Sequence, residues 1–222
     1  MRLTLLSGCF LALFCISAGI HLFHCGKGSP KSARTKPLLI SSLALFYLFA
    51  AEPVSFVLFA ALLASWAGDV LLMPSGNKWF VAGGVSFLIS HVLFVFVYTP
   101  HVLWDRVIWQ IAVPVFVLYI AASAGVLRAI RGSAPKPMRV PLFLYLTANS
   151  VMNLFALLML LSAPSAGAAL AFAGAVCFFI SDCVLFESRY PGKKGRPPKS
   201  GLIIMLTYIA GEALIAFGLL LI

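Results

Sequence analysis

Residues 165–186 read SAGAALAFAGAVCFFISDCVLF, an apolar run of the ~20-residue length that crosses a bilayer as a helix, with one acid inside it, Asp182. Residues 54–73, VSFVLFAALLASWAGDVLLM, repeat the pattern: a small residue, then Asp69, then an apolar run closing the segment. A carboxylate at the centre of a span costs roughly 2.5–3.5 kcal/mol even on the lenient insertion scale. Two acids placed alike are therefore the first candidates for chemistry.

Outward from these segments the same texture recurs. Apolar stretches over about 3–23, 37–51, 54–73, 79–98, 107–127, 140–162, 165–186 and 201–222 predict an all-α polytopic membrane protein, one integral domain built as a bundle of eight transmembrane helices. Composition agrees: of 222 residues 62% are hydrophobic and 10% charged, with mean hydropathy +1.06, against the ~25% charge of soluble domains. Glu52-Pro53 breaks the short second stretch and predicts a tilt or a sharp turn there. The segment after each Asp carries a polar group near mid-membrane, His91 in the fourth and Glu212 in the eighth, which suggests a 4+4 parallel repeat.

The net charge of +10 would suit nucleic acid, yet no soluble basic domain exists to bind it, so no nucleic-acid partner is expected. The charge is instead sorted between loops. Of the 16 basic residues all but Arg2 and Arg106 fall in one set: Lys27, Lys31, Arg34, Lys36; Lys78; Arg128, Arg131, Lys136, Arg139; Arg189, Lys193, Lys194, Arg196, Lys199. The positive-inside rule makes that set cytoplasmic and puts both termini on the opposite side, in the cell or inner membrane if the source is bacterial. The first apolar run is too long for a signal-peptide core. Cys9, Cys15, Cys25, Cys177 and Cys183 show no C-x-x-C spacing, and neither a metal nor a cofactor is expected.

Polar groups converge in depth. With ~1.5 Å rise per residue from the basic end, Asp69 and Asp182 lie ~6 Å deep, Tyr208 ~10 Å, Asn149 ~13 Å, Glu212 ~16 Å and His91 ~18 Å, with Lys36 at the rim. Tyr145, Asn149 and Asn153 share one face at i, i+4, i+8, as do Tyr208 and Glu212 at i, i+4. Such stripes face the bundle interior and predict a polar pocket open toward the cytoplasmic leaflet. Each member also has a plainer role: acids near span ends can snorkel, and His91, Asn149, Asn153 and Tyr145 can glue helices together. Lys36 can be a topology marker, and a neutral Glu212 can serve structure alone.

These motifs resemble the YhhN-type membrane lysoplasmalogenases. The resemblance rests on Lys36-Pro37-Leu38 opening a span, Gly68-Asp69, Ser90-His91-Val92-Leu93-Phe94, Tyr145, Phe178 through Leu185, and Thr207-Tyr208. It covers the chain from about residue 36 to the end. Two positions depart from the family pattern: Glu212 stands where Gln is usual, and Ile209 replaces a second tyrosine.

The resemblance implies an eight-span ether hydrolase that cleaves the vinyl ether bond of lysoplasmalogens, releasing a fatty aldehyde and glycerophosphocholine or glycerophosphoethanolamine. The partners implied are a lysophospholipid substrate and membrane lipid. Vinyl ether hydrolysis needs a proton on carbon, a stabilised oxocarbenium and an attacking water, a problem glycosidases solve with two carboxylates. One of Asp69 and Asp182 is then the acid and the other the ionised partner, in an order the sequence leaves open. His91 is a competing donor or a positioning group. Tyr145, Asn149, Tyr208 and Glu212 would line the substrate, and Lys36 would meet the headgroup phosphate. Paired intramembrane acids also suit a proton- or ion-coupled transporter, which ranks second because the polar groups mostly sit on one side of the midplane, and a lipid-binding protein without catalysis is a third class. A serine hydrolase is not expected, since no G-x-S-x-G occurs.

Overall fold

The computed structural model describes residues 4–193 and 195–222. Arg2, on the basic-poor side, Lys194, in the basic-loop set, and the first residue of the first expected span lie outside them. Among the described residues there are eight α-helices and no strand: α1 (Leu5–Gly26), α2 (Ser32–Ala50), α3 (Phe56–Leu71), α4 (Asn77–Tyr98), α5 (Trp109–Ile130), α6 (Arg139–Ser162), α7 (Ala166–Arg189) and α8 (Ser200–Leu220). Six of them are long and apolar enough to cross a membrane. The other two are α3, whose 16 residues reach ~24 Å, and α2, whose first turns carry Arg34 and Lys36.

The helix ends differ from the sequence reading for local reasons. α3 stops at Leu71 rather than Met73, because Pro74 disfavours helix in the residue before it. α7 runs on to Arg189. Its last turn is anchored by buried Phe186 and by Arg189, whose Nη2 donates to Asn77 Oδ1 at 2.8 Å and whose guanidinium stacks 4.9 Å from the Phe80 ring centroid. The two acids therefore stand unequally, Asp69 about 3 Å and Asp182 about 10 Å from their helix ends. Serine starts both helices: Ser55 and Ser165 each accept from the backbone N–H three residues on, closing orphan donors at the N-terminus.

Consecutive helices pack as hairpins except α4 and α5, and the bundle closes as a ring in the order α1, α2, α3, α4, α6, α7, α8, with α8 meeting both α1 and α2. α5 stays outside the ring, against α6 and α7. Both halves share the hairpin order but differ in where their first helix goes. The basic loops meet at one end, where Ser133 Oγ donates to Tyr190 O at 2.9 Å and Arg189 holds Asn77.

The tightest junction is α7 against α8. A Cβ on Gly174 would stand 2.6 Å from Gly211 O, and one on Gly211 2.9 Å from Gly174 O; Gly167 and Gly218 repeat the contact farther along. Small residues let the two backbones touch, which substitutes for the absent hydrophobic drive between helices in lipid. The α3/α4 pair uses the same device: a Cβ on Gly68 would collide with the Phe87 ring at 2.6 Å. That packing seats Phe87 beside Asp69. Ser65 and Ser90 add a buried hydroxyl pair at 2.7 Å between the same two helices.

Candidate functional site

Both acids face inward. Asp69 and Asp182 are 2% and 3% exposed, and His91, Asn149, Asn153 and Glu212 are wholly buried. Their surroundings divide into two nodes. In the first, Lys36 Nζ from α2 lies 3.2 Å from Asp69 Oδ1, and the Tyr208 hydroxyl from α8 donates to Asp69 Oδ2 at 2.9 Å. Both carboxylate oxygens are thus engaged, one by a cation. Lys36, expected at the rim, pairs with the acid and keeps a side-chain exposure of 17%.

In the second node, Asn149 Nδ2 and the Tyr145 hydroxyl, both from α6, donate to Asp182 Oδ2 at 2.6 and 3.0 Å. Asn153 Nδ2 donates to Asn149 Oδ1 at 2.8 Å, which turns the Asn149 amide N–H₂ toward the acid. The expected i, i+4, i+8 stripe on α6 is therefore a working chain of donors. Among the described residues nothing donates to Asp182 Oδ1. His91 Nε2 lies 3.5 Å from Oδ2, too far for a good hydrogen bond, and neither ring nitrogen has another partner.

An aromatic cluster joins the nodes. Phe178 on α7 packs against His91 (4.9 Å between ring centroids) and Tyr208 (5.4 Å), and Phe87 packs edge-on to both Phe178 and Tyr208. His91 also meets the Tyr145 ring at 5.1 Å. A path of direct contacts thus runs from Asp69 through Tyr208, Phe178 and His91 to Tyr145 and Asp182. The sequence reading singled out the polar members of this path. It missed Phe87 and gave Phe178 no role, because aromatics in an apolar helix carry no signal of their own; Gly68 facing Phe87 would have been the clue.

Glu212 shares the α8 face of Tyr208, but its carboxyl has no hydrogen-bond partner among the described residues. Nor, among the described residues, do three His, Cys, Asp or Glu side chains converge as metal ligands. The arrangement offers one ion-paired carboxylate, one carboxyl held by neutral dipoles, a histidine beside it and low-dielectric walls. Such a set can move a proton and stabilise a transient cation.

No curated protein and no solved structure matches the chain significantly. A family model does match, over residues 32–219, a stretch that holds Lys36, both aspartates and every partner described above. The chain is therefore a member of the YhhN family.

Proposed function

We propose that the protein is a lysoplasmalogenase, hydrolysing the vinyl ether of a lysophospholipid in a bundle whose basic end faces the cytoplasm and whose termini lie on the other side. The observation that carries this reading is the unequal pair of buried acids. Asp69 is paired with Lys36, whereas Asp182 takes two neutral donors on one oxygen and, among the described residues, none on the other.

Asp182 is then the general acid. Its Oδ1 delivers a proton to the second carbon of the alkenyl chain, and Asn149 and Tyr145 hold the carboxylate that remains. The charge moves to the ether-bearing carbon as an oxocarbenium, which the ionised Asp69 stabilises electrostatically. Water adds to that carbon and loses a proton to a carboxylate. The hemiacetal then breaks its bond to the glycerol oxygen, giving a fatty aldehyde and the glycerophospho-alcohol. His91, against both Phe178 and Tyr145, positions the acid. Glu212, whose buried carboxyl makes no hydrogen bond to a described residue, takes no step in this scheme.

The test uses purified protein with choline and ethanolamine lysoplasmalogens, and free aldehyde as the readout. A saturated alkyl-ether lysolipid is the control, because without the double bond no carbon can take the proton. Aldehyde from the alkenyl lipids alone is the expected result. None from either supports the transporter or lipid-binding classes, which proteoliposome uptake and lysolipid binding then separate.

A further inference from the structure

An apolar crevice of about 200 Å³ opens between α4 and α6 beside the second node. We infer that it seats the hydrocarbon chain of a lysophospholipid and admits that chain sideways from the bilayer; the inference rests on the vinyl ether reading above. Its inner wall includes Tyr145, which donates to Asp182, and Phe87, which packs on the Tyr208 that donates to Asp69. A chain lying there would end one side chain away from Asp182 and two away from Asp69. Its outer lip is formed by Val81, Val85 and Leu144, each 39–53% exposed on the surface that meets acyl chains.

Charge fits the same occupant. Phe80, at the basic end of the crevice, carries the Arg189 guanidinium over its ring. An amphiphile with one apolar chain and an anionic head would place its phosphate toward that cation. The larger crevice between α5 and α6, with Arg128, Arg131 and Arg139 in its lining, includes none of the residues that touch either acid. It does not border the site. The α4/α6 opening also falls where α5 leaves the ring, so its two walls are not consecutive in the chain and no short loop ties them together.

Gly84 gives a direct handle. It lines the crevice, and a Cβ built on it meets nothing within 4 Å, so a side chain there fills empty space rather than displacing a neighbour. In Gly84→Phe, aldehyde release from a long-chain lysoplasmalogen should fall about tenfold or more, the scale on which apolar pockets discriminate. An analogue with a shorter chain, which fills less of the crevice, should lose less. Undiminished long-chain turnover, or equal loss for both substrates, overturns the assignment. A saturated ether lysolipid with a photoreactive group along its chain tests the same point in the parent protein, independent of turnover and of how the variant folds. Crosslinks on α4 and α6 around Gly84 and Leu144 are expected, and crosslinks confined to other helices overturn the inference. A parent that takes those crosslinks but releases no aldehyde retains the chain site while the vinyl ether reading falls.

Discussion

Asp69 and Asp182 share a sequence pattern and a serine-capped helix, yet the fold treats them differently. Asp69 sits near the end of α3 with a lysine on one oxygen and a tyrosine on the other; Asp182 sits deeper in α7 with two neutral donors crowded on a single oxygen. An ion pair stabilises the charged form of a carboxyl, whereas neutral dipoles in a dry site stabilise it less. Two like residues in unlike surroundings are how one site obtains an acid and an ionised partner.

The largest effect expected follows from removing the free oxygen. Asp182→Asn should lower aldehyde release by about 10²–10⁴-fold, the usual weight of a positioned general acid, while the unfolding midpoint in detergent stays near the parent's. Ordinary turnover in that variant would break the division of roles. Asp69→Asn should also lower turnover severely, and it gives the reference for the next variant.

Lys36→Met leaves Asp69 buried without its cation. Breaking a fully buried pair costs about 3–5 kcal/mol, and the partial exposure of Lys36 sets this loss at the low end or below. Thermal unfolding of Lys36→Met, Asp69→Asn and the double variant forms a cycle in which the double should be less destabilised than the sum of the singles. Strict additivity would mean that the pair contributes nothing.

The tyrosines sharpen the comparison further. On the proposed roles, Tyr208→Phe removes a hydrogen bond to a charged group, worth about 1.5–3 kcal/mol, while Tyr145→Phe removes one to a neutral group, worth about 0.5–1.5 kcal/mol. Unfolding measurements should therefore rank Tyr208→Phe as the more destabilising; the reverse order would exchange the roles of the two acids. The smallest change is expected from Glu212→Gln, whose carboxyl touches neither aspartate through a hydrogen bond. Aldehyde release should change by no more than about tenfold, less than the contribution of a general acid or base. A larger loss would make three carboxyls part of the chemistry.

Much of this was readable from the chain. Span order follows from hydropathy, and the polar faces of α6 and α8 follow from helical spacing, because both depend on residues close in sequence. Pairing does not. That Tyr208 serves Asp69 while Tyr145 serves Asp182 is decided by contacts 139 and 37 positions apart, which no local pattern encodes. Lys36 looked like a loop charge because α2 begins at Ser32, five residues earlier than its apolar run suggests. The exclusion of α5 from the ring left no sequence trace either, since hydropathy shows that a helix can span but not which neighbours it keeps.

The order in which partners arrive has a consequence for biogenesis. A ribosome makes Asp69 long before Tyr208, but Lys36 precedes it and lies on the helix just before. The nascent first half therefore carries its own counter-ion, and its acid can enter the lipid already neutralised while the remaining helices are still being translated. Asp182 needs no such escort: Tyr145 and Asn149 emerge on α6 immediately ahead of it.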